Sequence, residues 1–202
     1  MSGSLAEPID NRLFMLILQH PQEKRHALAT AGLTCAALKR AELVIGLSWP
    51  NLAGALGRPA NAKRWAVLYL GSARPAALGI RRAIIAVDRR GEPAADQEAM
   101  LRGLEGVVLL DGNWGEAKTL WWRNPWLLKL RHLLLNPQHR SRLGGLRREP
   151  RREALSTLEA AALVLKHLDG GIEAEDALLG SLGRLIAEAR PGGRRAQERV
   201  SR

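Results

Sequence analysis

Five short apolar runs punctuate the first 110 residues of this chain: LFMLIL at Leu13–Leu18, LVIGL at Leu43–Leu47, WAVLYL at Trp65–Leu70, AIIAV at Ala83–Val87 and VVLL at Val107–Leu110. Each is apolar along its length and bounded by polar or turn-forming residues, the pattern of a strand buried on both faces of a sheet. Between several of them lie stretches of helical composition, notably Ala27–Ala41 and Ala94–Leu104. Strands alternating with helices predict an α/β fold with a mostly parallel sheet flanked by helices. The C-terminal part turns helical: Thr157–Leu168 and Glu173–Ala189 are rich in Ala, Leu and Glu, with Gly170-Gly171 between them.

A chain of 202 residues that is 46% hydrophobic can bury a real core. It reads as one α/β domain over 13–190, with an extension at 1–12 and a basic, Gly-containing tail at 191–202 that lacks apolar periodicity. No apolar window approaches the length of a membrane span, and MSGSLAEPID lacks the basic and apolar regions of a signal peptide, so a cytoplasmic location without membrane association is expected. The single cysteine, Cys35, excludes disulfides within the chain and thiolate zinc clusters, and its small, apolar neighbours predict a buried structural thiol. His132 and His139 have no ligand spacing to one another, so no metal is expected.

The net charge of +11 points to a polyanionic partner, and it is unevenly placed. Between Lys118 and Arg152 ten Lys and Arg face a single acid, Glu149, so most of the surplus sits in this segment. Trp121, Trp122 and Trp126 lie among these cations. Guanidinium groups hold phosphates and aromatic faces stack on unpaired bases, a combination that favours RNA over a merely solvated surface.

Two helix starts carry the chemistry-bearing residues. In LLDGNWGEAK (Leu109–Lys118), Asp111 falls where the VVLL strand should end, and Asn113 with Glu116 three residues later forms a capping-box pattern. Ligands of open α/β sheets collect at the carboxyl ends of strands. In LSTLEA (Leu155–Ala160), Ser156 and Glu159 repeat the capping pattern, and Arg147 and Arg148 lie shortly upstream. A helix start of this kind can receive a carboxylate or phosphate. Read alone, Asp111 could equally tighten a turn while Trp114 packs inward.

HPQEKRHALATAGL (His20–Leu33), LVIG (Leu43–Gly46), LYLGSA (Leu68–Ala73), LLDGNWGEA (Leu109–Ala117), LRREP (Leu146–Pro150) and LSTLEA together resemble the successive motifs of the DTW-domain family. That family is named for an Asp-x-Thr-Trp motif and is related to the SPOUT group of RNA-modifying enzymes. The resemblance spans Leu13–Leu168, and Asn113 stands where the motif has Thr, preserving the ability to cap a helix. It implies a SPOUT-like sheet, in which a knotted connection is one variant, with C-terminal helices. It also implies an S-adenosylmethionine-dependent transferase that moves a 3-amino-3-carboxypropyl group to N3 of a uridine in tRNA, without a metal.

On that chemistry Asp111, Asn113 and Trp114 are the catalytic candidates. Asp111 would act as the N3 base or as an anchor for the donor's ammonium and sulfonium charge, and Trp114 would wall the cofactor or stack on the target base. Leu110, Asp111, Gly112, Arg147, Ser156, Thr157 and Glu159 are the candidates for holding S-adenosylmethionine, with Arg147 and the Ser156-Thr157 helix start facing its carboxylate. Lys118, Arg123, Arg148, Arg151 and Arg152 are the candidates for RNA, and His20, Pro21, Glu23 and Thr30 form a second rank. Two alternatives stand beside this reading: a SPOUT-type RNA methyltransferase and a noncatalytic RNA-binding module.

Overall fold

The computed structural model describes residues 7–23, 30–68, 78–137, 139, 141–143 and 155–189. The strands are β1 (Phe14–Gln19), β2 (Ala41–Ile45), β3 (Trp65–Leu68), β4 (Ile84–Val87), β5 (Gly106–Asp111) and β6 (Arg131–Leu135), joined in one sheet of order β2-β1-β5-β3-β6-β4. All neighbours are parallel except β4, which runs antiparallel to β6 at one edge. The helices are α1 (Ala31–Ala37), α2 (Leu52–Leu56), α3 (Gln97–Leu101), α4 (Trp114–Arg123), α5 (Thr157–Leu168) and α6 (Ile172–Ala189).

Successive side chains of a strand point to opposite faces, so a run apolar throughout must be covered twice. Met15, Ile17, Val107 and Leu109 face a core shared with Ala31 of α1, Leu158, Ala161 and Leu165 of α5, and Leu178 and Leu182 of α6. Leu16, Leu18 and Val108 face the other core, with Leu52 and Leu56 of α2, Leu120 of α4, Trp65, Trp126 and Leu127. Gly106 is required by the second core, because the Trp65 ring lies against it and a Cβ there would come within 2.6 Å of the indole. Among the described residues no helix is long and apolar enough to cross a membrane.

The expected parallel sheet, flanking helices and two C-terminal helices are present, with shifted boundaries. The helical stretch expected over Ala27–Ala41 is helix only over Ala31–Ala37, residues 24–29 being outside the described set. The Asn11 side chain accepts from Arg40 N–H at 2.9 Å and donates to the Arg40 carbonyl at 3.0 Å, drawing that segment out of the helix and into β2. β2 therefore starts at Ala41, ahead of the expected Leu43. The helix expected over Ala94–Leu104 shortens to Gln97–Leu101, since Ala94 N–H donates to Ala86 O at 2.9 Å in extended conformation and Asp96 caps the helix. Gly170, at φ +67°, ends α5, and α6 begins two residues later. The expected tail at 191–202 lies outside the described residues.

Sequence reading overlooked β6, because its core, His132–Leu134, lies inside the basic segment. Burial is the main force holding the His132 imidazole below its ordinary pKa of 6.5, with the Arg89 charge adding to it. Below that pH the unfolded chain takes up a proton that the folded protein resists, so this contribution to stability is present above about pH 6.5 and is lost as pH falls through the ordinary histidine range. Thermal melts between pH 7.5 and 5.5 are expected to decline less steeply for His132→Gln than for the parent chain; equal slopes would show that His132 is not the group responsible.

Candidate active site at the carboxyl edge of the sheet

The parallel pairing of β1 with β5 sets Gln19 opposite Asp111 at the carboxyl ends of both strands. Both side chains are buried, and Gln19 Nε2 donates to Asp111 Oδ2 at 2.7 Å. The Thr157 hydroxyl, at the first residue of α5, donates to Asp111 Oδ1. The His20 backbone N–H donates to the Asp111 carbonyl at 2.9 Å. One carboxylate thus ties two central strands to the start of a C-terminal helix.

The chain leaves Asp111 through Gly112, whose φ of +155° belongs to glycine. A Cβ there would approach Glu116 Cβ to 2.7 Å and His20 Cβ to 3.4 Å. Asn113 then caps α4: its Oδ1 accepts from Gly115 N–H at 2.9 Å and Glu116 N–H at 3.1 Å, and Glu116 Oε2 accepts from Asn113 N–H at 2.7 Å. Both halves of the expected capping box are formed. Glu116 Oε1 lies 3.8 Å from His20 Nδ1, which accepts from Gln22 N–H at 3.3 Å. Trp114 is half-buried and carries the Lys118 ammonium 5.3 Å from its ring centroid.

The second capping box is also complete. Glu159 is buried, and its carboxylate accepts from Ser156 N–H at 2.9 Å, Ser156 Oγ at 2.7 Å, Ser141 Oγ at 2.7 Å and Arg142 N–H at 2.7 Å. Those four bonds commit it to clamping the 141–143 segment onto α5. Thr30 is buried beside the same helix start and its Oγ1 accepts from Leu158 N–H at 3.4 Å.

Of the residues expected from sequence, Asp111, Gly112, Asn113, Trp114, Thr157, His20 and Thr30 therefore meet around one edge of the sheet. Leu110 is half-buried against the core shared with α4. Pro21 is exposed, while Glu23 is buried and its N–H donates to His20 O at 3.0 Å. Lys118 and Arg123 lie exposed on α4, whereas Arg147, Arg148, Arg151 and Arg152 lie outside the described residues. Gln19 was missed, although it is the polar residue directly ending the LFMLIL run, as Asp111 ends VVLL. Cys35 is half-buried, less enclosed than expected. Burial, followed by the negative charges of Glu42 and Asp111, pushes its thiol up to about 11, so it stays protonated near neutrality and is no nucleophile there. Among the described residues no three His, Cys, Asp or Glu side chains gather as a metal-ligand set.

A mostly parallel sheet with a carboxylate and two capped helix starts at the carboxyl end of its central strand defines an α/β protein of the class that receives ligands at that edge. A family model described as the DTW domain matches residues 3–189, and the chain belongs to that family. Membership is consistent with tRNA modification and with RNA as substrate. No curated protein and no solved structure matches the chain significantly.

Proposed function

We propose that this protein transfers the 3-amino-3-carboxypropyl group of S-adenosylmethionine to N3 of a uridine in tRNA: the N3–Cγ bond forms as the Cγ–sulfonium bond breaks, methylthioadenosine leaves and the N3 proton passes to solvent. The observation that carries the reading is the Asp111 carboxylate held by Gln19 and Thr157 where α4 and α5 begin. The donor has a carboxylate, an ammonium and a sulfonium; Asp111 offers the negative charge complementary to the two cationic groups, and the dipoles of α4 and α5 point their positive ends toward this edge. When bound, the donor supplies an electrophilic γ-carbon next to its sulfonium. Leu110, Gly112, Ser156 and Thr157 are the described residues that would border it, and Glu159 would act behind them by holding the α5 start in place.

Asp111 is 3% exposed and both its oxygens already accept hydrogen bonds. That setting supports a fixed charge that orients the donor, in preference to a base open to the target nucleotide. Trp114, half-buried at the start of α4, is suited to stack on the target uracil, and Lys118 and Arg123 to meet phosphates. Arg147 would join the carboxylate cradle, and Arg148, Arg151 and Arg152 the phosphate contacts.

The test uses unmodified tRNA and S-adenosylmethionine labelled in parallel reactions on the methyl carbon or the carboxyl carbon. Carboxyl label on RNA with methylthioadenosine as co-product is expected, because the methyl group leaves with the nucleoside. Methyl label on RNA would make the protein a methyltransferase. Absence of either label, with total tRNA and ribosomal RNA both supplied, would leave an RNA-binding module.

A further inference from the structure

Residues four apart on a helix lie on one face, so Trp114, Lys118 and Trp122 form a stripe along α4. The opposite face carries Glu116, Ala117 and Leu120, all buried. Among the three tryptophans of the basic segment the structure makes a clear division. Trp126 is buried with its Nε1 donating to Asn124 Oδ1 at 3.1 Å, and Trp121 is half-buried with its ring centroid 5.6 Å from that of His132. Trp122 is 78% exposed, the most exposed of the large hydrophobic side chains among the described residues.

The stripe begins at the candidate active site. Its first residue follows directly on the Asp111-Gly112-Asn113 turn. Its far end is bound to the loop after β2, which leaves the same carboxyl edge of the sheet: Ser48 Oγ donates to Arg123 O at 3.0 Å, Asn124 Nδ2 donates to Leu47 O at 3.0 Å, and Asn124 Oδ1 accepts from Trp49 N–H at 2.9 Å. At 1.5 Å of rise per residue the two indoles are separated by roughly 12 Å along the helix, about three to four stacked nucleotides.

We infer that Trp122 is a stacking platform for an unpaired base flanking the target nucleotide, so that the substrate is a single-stranded loop of a structured RNA and not a continuous helix. The inference rests on the reading of this edge as an RNA-modifying site. Its occupant follows from the stripe's chemistry: an exposed indole with Lys118 between it and Trp114 and Arg123 beside it, on a chain of net charge +11, complements bases and phosphates.

The experiment measures binding of the full chain to an RNA stem-loop with an unpaired loop and to a blunt duplex of equal length, by fluorescence anisotropy over a range of salt. Trp122→Ala is expected to weaken stem-loop binding about tenfold while leaving duplex binding and the salt slope unchanged, since it removes a stacking surface and no charge. Trp122→Phe, which keeps an aromatic face, is expected to stay within about threefold of the parent. Unchanged stem-loop affinity in Trp122→Ala, an equal loss on both RNAs, or a change of oligomeric state on removing the indole would overturn the inference. Failure of the parent chain to bind either RNA would instead strike the tRNA reading itself.

Discussion

Asp111→Asn is expected to lower the rate of group transfer by two orders of magnitude or more while the sheet still folds. Removing one preorganised electrostatic partner from a water-poor site costs about 10²–10³ in rate, and here the side chain keeps its size while losing its charge. Gln19 Nε2 and Thr157 Oγ1 now donate to the two carboxylate oxygens. In the variant the amide oxygen can keep the bond from Gln19 while the NH₂ group donates to the Thr157 hydroxyl, which accepts as well as donates, so both contacts survive and the fold is expected to be retained. Circular dichroism and a thermal melt establish that the variant is folded, and a single-turnover assay with labelled donor reads the rate. Full activity in a folded Asp111→Asn protein would return Asp111 to the role of a structural turn residue.

The second large effect is expected at Gly112. Alanine there must adopt a φ of +155° and bring its methyl group to 2.7 Å from Glu116 Cβ, an atom next to the α4 backbone and not the far end of a flexible chain. Strain and overlap together are expected to cost about 3 kcal/mol, lowering the melting temperature by roughly 6–12 °C. Because Glu116 closes the capping box on Asn113 N–H, the clash is relieved most readily by moving the start of α4, and donor affinity should fall with stability. Gly115→Ala is the control, two positions after the N-cap, where the nearest foreign atom to a Cβ is Asn113 Oδ1 at 3.3 Å. Similar melting temperatures for the two variants would mean that the Gly112 backbone relaxes freely and is not a fixed part of the site.

Much of the site was legible because its parts are local. A capping box needs only an acceptor at the N-cap and a carboxylate three residues later, and both predicted boxes, Asn113 with Glu116 and Ser156 with Glu159, form as read. Continuous apolar runs likewise announced strands covered on both faces, which is what β1 and β5 are. Element ends were less legible because distant groups decide them. The Asn11 side chain extracts Arg40 from helical conformation across 29 residues of sequence, and no local propensity records that. β6 was hidden for a related reason: Arg131 and His132 look like parts of a basic surface until the sheet encloses His132 between its neighbours.

By itself, then, the sequence determined the α/β class, the two helix starts and Asp111 at the end of a central strand, since each depends on spacing within a few residues. Only the tertiary structure decided that Gln19 and Thr157, which lie 92 and 46 residues from Asp111, close on the same carboxylate. It also decided which tryptophan of the basic segment faces water. The physical reason is that strand order and register are set by how two cores pack on opposite faces of one sheet, a property of the whole chain that no short window of residues contains.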